Sequence, residues 1–339
     1  MGITMRTLRA GVVGVGYLGN HHARILKELE GVELAGVFDI DPAAGNKAKD
    51  KYRCELFDSK EALAQDVDLV VVATPTLTHR DVACFFLDQG IHVMVEKPIA
   101  HTLDAAREIV ETASASGAKL QVGHSERFNP AFVAASEFIS GPLFMETNRL
   151  ARLGPRGLDV DVVLDLMIHD IDLVASCIPV DPSMISAVGV PVLTDSVDMA
   201  NVRLEFPNGA AANLVASRTS LTTVRKVRLF QPDTYMSVDL LSHKVRMYKR
   251  LGKMDTDKPL NITQAAKLLK SQSVKVDKFE PLRAELRSFV NSAQRDERPI
   301  VSGRDGLRAL DWAFSIKNSI EQHLERTTGA SHPSNGTAQ

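Results

Sequence analysis

The residues best suited to chemistry in this chain begin with a glycine turn. Gly14-Val15-Gly16-Tyr17-Leu18-Gly19 is a G-x-G-x-x-G sequence that leaves an apolar run and opens a helical pattern, the setting in which such a turn cradles a pyrophosphate. Gly14 permits the tight turn, Gly16 lets phosphate approach the backbone, and Gly19 lets the helix pack closely, with Tyr17 and Leu18 between them. Phosphate oxygens would meet the unpaired N–H groups at the helix start. Twenty residues after Gly19, Asp39 ends the next strand, and Ile40 and Asp41 follow it rather than a basic residue. A carboxylate there accepts adenosine ribose hydroxyls and repels a 2′-phosphate, so the expected cofactor is NAD rather than NADP. Thr74-Pro75-Thr76 follows a buried strand at its carboxyl end, with His79 close behind; ligands of an open α/β sheet collect there, although a plain turn with a helix cap explains Thr76 equally well.

A second cluster suits proton chemistry. Glu96-Lys97-Pro98 closes another strand, where a lysine can hydrogen-bond a substrate hydroxyl and ease hydride abstraction from the same carbon. Asp165 and His169 stand four apart in a helical pattern and so share a face. An imidazole takes an alcohol proton near neutral pH, and a neighbouring carboxylate orients it. Taken singly, His169 reads as a surface or core histidine; the cofactor fingerprint and Lys97 tip the reading toward catalysis.

These residues need elements to hold them. Strands at Leu8–Val13, Val32–Phe38, Val67–Ala73, His92–Glu96 and Leu120–Val122 alternate with helical patterns over roughly the first 122 residues, which predicts a doubly wound parallel sheet of Rossmann type. Beyond them, Pro130–Ser140 reads as a helix capped by Asn129, and Asp165–Cys177 as another. Alternating strands between Ile185 and Lys249, with few helices between them, predict a large, mostly antiparallel open sheet in a second α/β domain spanning 123–325. Helices near Pro281–Ala293 and Arg304–Leu324 close the fold, and 326–339 reads as a disordered tail.

Bulk properties exclude much else. The 339 residues are 44% hydrophobic and 24% charged with a net charge of −2, typical of a soluble globular chain with no electrostatic pull toward nucleic acid or anionic membrane. No apolar run approaches a membrane span, and the first nine residues lack a signal core, so a cytoplasmic location is expected. Cys54, Cys84 and Cys177 lie far apart with no metal or redox spacing, and no metal site is expected.

The ordered set Gly14-x-Gly16-x-x-Gly19, Glu96-Lys97-Pro98, Gly123-His124 and Asp165-x3-His169 resembles the glucose–fructose oxidoreductase / inositol dehydrogenase / rhizopine-catabolism (Gfo/Idh/MocA) family over about residues 8–325. The resemblance implies an oxidoreductase with Lys97, Asp165 and His169 as catalytic set, Glu96 and Lys97 at the cofactor, a cis Lys97–Pro98 bond, and a homodimer or homotetramer formed through the C-terminal sheet. Met167 departs from the small residue usual at its position, which puts simple substrate analogies in doubt. Gly123-His124-x-x-Arg127-Phe128-Asn129-Pro130 is similar to the branch acting on nucleotide sugars, UDP-N-acetylglucosamine 3-dehydrogenases above all. That branch implies oxidation of the 3-hydroxyl of a UDP-linked N-acetylhexosamine, with His124, Arg127, Asn129, Arg149, Arg152 and Arg156 toward the substrate. Surface charge or local capping explains several of these equally well. The alternatives are a cyclitol or free-sugar dehydrogenase of the same family, or an NAD-bound sensor without catalysis, against which the retained Lys97, Asp165 and His169 argue.

Overall fold

The computed structural model describes residues 6–152, 154, 160–252 and 268–328; Arg156 and the tail from 329 onward lie outside them. Two compact units emerge, each drawing on two stretches of chain: Met1–Phe128 with Phe279–Leu310, and Asn129–Lys278 with Asp311–Gln339.

The first unit holds six parallel strands: β1 (Leu8–Val13), β2 (Val32–Phe38), β3 (Glu55–Leu56), β4 (Leu69–Val72), β5 (His92–Glu96) and β6 (Leu120–Gly123), in the order β3-β2-β1-β4-β5-β6. β4 is Leu-Val-Val-Val and wholly buried, as a central parallel strand covered on both faces must be. The order reverses between β1 and β4, and the chain segments after their carboxyl ends flank the crevice where such sheets bind ligands. Helices α1 (Tyr17–Glu28), α2 (Pro42–Tyr52), α3 (Lys60–Ala64), α4 (His79–Leu87) and α5 (Leu103–Ser116) link the strands. A single 3₁₀ turn, Thr76–Thr78, precedes α4 where the pattern predicts a helix from Thr78.

The linear division at residue 122 is corrected by the later helices. Leu286, Phe289 and Val290 of the Pro281–Arg295 helix pack into the same core as Ile25 and Leu26 of α1 and Val12 of β1. Gly303 and Gly306 open the last helix against Leu120 and Val122, where added Cβ atoms would lie 2.3 and 2.5 Å from those side chains. The stripe of the Pro281–Arg295 helix and the first turn of the last helix thus belong to the first unit although they come late in the chain.

In the second unit an eight-stranded sheet runs in the order β14-β13-β12-β11-β7-β10-β9-β8. Its strands are β7 (Phe144–Leu150), β8 (Met184–Val190), β9 (Met199–Glu205), β10 (Ala211–Ser217), β11 (Val224–Gln231), β12 (Thr234–Asp239), β13 (Lys244–Arg250) and β14 (Leu269–Val274). Only the β7–β10 pair is parallel. Met145, Thr147 and Arg149 of β7 are buried in alternation, on the face that α6 (Pro130–Ser136) and α7 (Ile168–Cys177) help to cover. The other face carries a cross-strand row, Phe144, Phe230, Tyr235 and Tyr248, with successive ring centroids 5.7, 4.8 and 5.5 Å apart. The last helix spans Gly303–Thr328, so residues 326–328 of the expected tail are helical. Among the described residues no helix is long and apolar enough to cross a membrane.

Candidate active site

The three fingerprint glycines are required for three different reasons. Gly14 has φ +82°, and a Cβ on it would lie 2.9 Å from the Ala73 carbonyl oxygen. At Gly19 a Cβ would fall 1.8 Å from the Gly14 oxygen, so only glycine lets α1 close onto the turn. A Cβ at Gly16 meets nothing within 4 Å: protein packing does not demand this glycine, and the open space suits a ligand. Gly16 is also the N-cap of α1 and supplies no side-chain cap, which leaves the helix-start N–H groups to an external acceptor. Tyr17 and Leu18, 60% and 41% exposed, flank this opening.

Asp39 is fixed from both sides. Its Oδ2 accepts the Val15 N–H at 2.7 Å and its Oδ1 the Asp41 N–H at 2.9 Å. Each oxygen keeps a lone pair for a ribose hydroxyl, while Ile40 beside it is 90% exposed and uncharged. Open space at Gly16, an uncapped helix start and this carboxylate together fit NAD.

Behind the 74–76 loop, His79 is a brace. It is 1% exposed, with Nε2 2.9 Å from the Thr74 oxygen and Nδ1 3.0 Å from the Pro98 oxygen. Burial pushes its pKa down against the pull of these carbonyls; the ring sits between two loops of the crevice and, when neutral, donates to one of the two oxygens. Thr78 Oγ1 lies 2.9 Å from both Thr74 Oγ1 and the Pro75 oxygen and closes the turn.

The Glu96-Lys97-Pro98 segment leaves β5 with a cis Lys97–Pro98 bond, as the resemblance implies. Lys97 is half-buried, whereas Glu96 is buried and turns inward. Its Oε1 accepts from His22 Nε2 at 2.7 Å and its Oε2 from the Lys97 N–H at 3.2 Å. Burial works to raise the Glu96 pKa, but the His22 bond and the adjacent Lys97 outweigh it and hold the group below the usual carboxylate range. Gly123, opposite Glu96 in the sheet, is small because a Cβ would lie 2.8 Å from Glu96 Oε2. His124 next to it is 1% exposed, and Arg127 reaches the Ile300 oxygen at 3.4 Å. His22 was missed by the sequence reading; its signal was a histidine on α1 three residues past the fingerprint.

In the second unit Asp165 and His169 are both half-buried at the start of the predicted helix. That start is a π-turn, Val163–Met167, before α7 begins at Ile168, a local widening often found at functional sites. Asp161 anchors it, accepting the Val163 and Leu164 N–H groups at 2.9 and 3.1 Å and pairing with Lys317 at 2.7 Å. Met167 is fully buried.

Two residues expected to face substrate are spoken for. Arg149 is 3% exposed, and its Nε and Nη2 each donate to Asp170 at 2.9 Å, so its fork locks β7 to α7. Asn129 is buried: its Oδ1 accepts the Ala131 N–H at 3.0 Å as the cap of α6, and its Nδ2 donates to the Leu240 oxygen at 3.0 Å. Arg152 is exposed, with Nε on the Leu221 oxygen at 2.8 Å. Asp170, the residue after His169, received no role from the sequence; nothing in its spacing named β7 as its partner.

Comparison with known proteins fits this geometry. The model of the Gfo/Idh/MocA group, described as an oxidoreductase family with an NAD-binding Rossmann fold, matches residues 8–124. A UDP-N-acetylglucosamine 3-dehydrogenase of Acidithiobacillus ferrooxidans is 34% identical over 320 residues, covering 94% of this chain and 99% of the relative. A solved structure of that enzyme superposes with a TM-score of 0.87 at 34% identity, again over 94% and 99% of the two chains. An inositol 2-dehydrogenase of Rhizobium meliloti is 27% identical over 342 residues, 93% of this chain and 98% of the other. With glycine turn, Asp39 and the Glu96-Lys97-Pro98 segment in place, the chain belongs to the Gfo/Idh/MocA family of oxidoreductases, and its first unit is that family's NAD-binding Rossmann fold.

Proposed function

We propose that this chain oxidises the 3-hydroxyl of a UDP-linked N-acetylhexosamine to a ketone. The observation that carries this reading is the end-to-end likeness to the UDP-N-acetylglucosamine 3-dehydrogenase, at 34% identity with nearly complete coverage of both chains. NAD, when bound, supplies the ring that accepts the hydride. Lys97 donates a hydrogen bond to the sugar hydroxyl and stabilises negative charge on its oxygen; His169 takes the hydroxyl proton; Asp165 orients His169. Arg127 and Arg152 are the cations assigned to the diphosphate, with Arg149 bound to Asp170 and Asn129 capping α6.

The aromatic row on the open face of the eight-stranded sheet favours self-association there as a homodimer or homotetramer; the location that goes with this reading is the cytoplasm. A second reading, a cyclitol dehydrogenase, is favoured by the full-length likeness to inositol 2-dehydrogenase. NADH formation with UDP-N-acetylglucosamine, free N-acetylglucosamine and myo-inositol, with products identified by mass and NMR, separates the two. Oxidation of the nucleotide sugar alone is expected; turnover of inositol without the nucleotide sugar moves the protein to the second reading.

A further inference from the structure

α1 carries a histidine that the mechanism above does not use. His22 is fully buried, and its Nε2 donates to Glu96 Oε1 at 2.7 Å. Its Nδ1 is equally buried and meets no polar partner among the described residues. Leaving a ring nitrogen unsatisfied in a core is unfavourable, and an apolar side chain would fill the same space without that cost. What the histidine adds is the bond to Glu96. That carboxylate accepts the Lys97 N–H on its other oxygen, and β6 makes room for it with Gly123.

We propose that His22 is a positioning residue for Lys97: by donating to Glu96 it keeps a buried carboxylate ionised beside the lysine, which holds the lysine amino group protonated and its peptide aimed. This rests on the reading of Lys97 as the group that meets the substrate hydroxyl. Burial alone drives a carboxyl toward its neutral form, and the His22 bond opposes that drive. The interaction is mutual, so an ionised Glu96 raises the proton affinity of Lys97. Among the described residues, the ionisable groups that act on Glu96 include His22 from α1, Lys97 from its own loop and His79 from α4, whose charge burial suppresses, and the buried His124 follows its sheet partner Gly123. The strand residues beside it, Leu69–Val72 of β4 and Leu120–Gly123 of β6, are themselves not ionisable. Without the His22 donor, the proton affinity of Glu96 rises, its charge beside Lys97 weakens, and the lysine gives up its own proton at lower pH.

The test reads Lys97 directly. Competitive acylation of the cofactor-free protein across pH, followed by peptide mass spectrometry, gives the titration midpoint of its amino group, and the pH profile of kcat gives the basic limb. In His22→Leu and in Glu96→Gln both should move to lower pH by about one unit, and in His22→Leu NAD affinity stays within about threefold. His22→Gln, whose amide nitrogen reaches the place of Nε2, should restore both toward the parent. Lys97→Met is the control on the underlying reading: if it keeps normal turnover, Lys97 is not the catalytic group, yet the acylation midpoint still decides what His22 does to it. Loss of activity in His22→Leu with an unmoved midpoint and limb would mark a packing role and overturn the proposal. If His22→Leu does not fold, as its thermal melt will tell, Glu96→Gln carries the decision, and an unmoved midpoint there overturns it equally.

Discussion

Each unit buries a hydrogen-bonded polar pair near the residues assigned to chemistry, and the two pairs are built differently. Arg149 and Asp170 share two parallel bonds of 2.9 Å, with side chains 4% and 3% exposed. That is the geometry in which a guanidinium and a carboxylate satisfy one another most fully, and it joins a strand to a helix. His22 and Glu96 share one bond of 2.7 Å, leave His22 Nδ1 without a partner among the described residues, and reach onward to the main chain of Lys97. A pair that closes on itself holds a fold together; one that spends a lone pair on a reactive neighbour sets that neighbour's charge. The same contrast separates the glycines, where Gly14 and Gly19 answer to the protein's own atoms and Gly16 answers to none of them.

The largest expected effect falls on the open side of this contrast. Lys97→Met and His169→Ala should each lower turnover by about 10²–10⁴-fold, the usual weight of acid–base groups, with NAD affinity nearly unchanged. Steady-state kinetics beside calorimetric NAD titration checks both, and near-normal turnover in either variant removes that residue from the mechanism.

On the closed side the effect is on stability. Arg149→Ala leaves Asp170 buried without its main partner and should cost about 3–5 kcal/mol, whereas Arg149→Met with Asp170→Leu should recover most of it. Urea denaturation of the three proteins measures the difference. A loss of under about 1 kcal/mol in the single variant would show that the pair does not anchor α7.

Smaller effects sort the glycines. Gly16→Ala should fold as the parent does, because its Cβ meets nothing within 4 Å, and lose roughly tenfold or more in NAD affinity. Gly19→Ala should instead melt early, since its Cβ would sit 1.8 Å from the Gly14 oxygen. Equal loss of stability in both would erase the distinction between packing glycine and ligand glycine.

The smallest effect concerns Asp198, fully buried, whose Oδ2 accepts the Val192, Leu193 and Thr194 N–H groups at 2.9, 2.6 and 2.8 Å. Burial works against the charged form, but these bonds prevail and bring its pKa from 3.8 down to about 2. A carboxyl whose folded pKa lies below its unfolded value stabilises the fold above the unfolded pKa and loses that contribution as pH falls through the folded one. The stability gap between the parent and Asp198→Asn should therefore narrow as pH drops from 3.8 toward 2. A gap that stays constant over that window would contradict the assignment.

What the sequence made legible follows the same division. The Rossmann crevice could be read residue by residue because its requirements are backbone requirements: a positive φ at Gly14, a close approach at Gly19, a strand-end carboxylate at Asp39. Local spacing carries such constraints. The mostly antiparallel second sheet was legible too, from alternation and turns. The partner of Arg149 was not, since a guanidinium on a strand binds whatever the tertiary fold brings to it, here Asp170 across 21 residues. Nor was the π-turn at Val163–Met167, whose apolar pattern fits an α-helix equally well. The return of Leu286, Phe289 and Val290 to the first core escaped for a related reason: an apolar stripe announces that it will be buried without saying against which sheet.

The activity proposed for this chain is hydride abstraction from C3 of a UDP-linked N-acetylhexosamine, in the crevice its first unit offers to NAD. The most direct measurement is a single-turnover reaction with UDP-N-acetylglucosamine deuterated at C3, followed by mass analysis of the nicotinamide and the sugar. Deuterium should pass to the nicotinamide ring, and the sugar should become the 3-keto product in equal amount. Deuterium retained at C3 while the enzyme reduces NAD with inositol or a free sugar would contradict it.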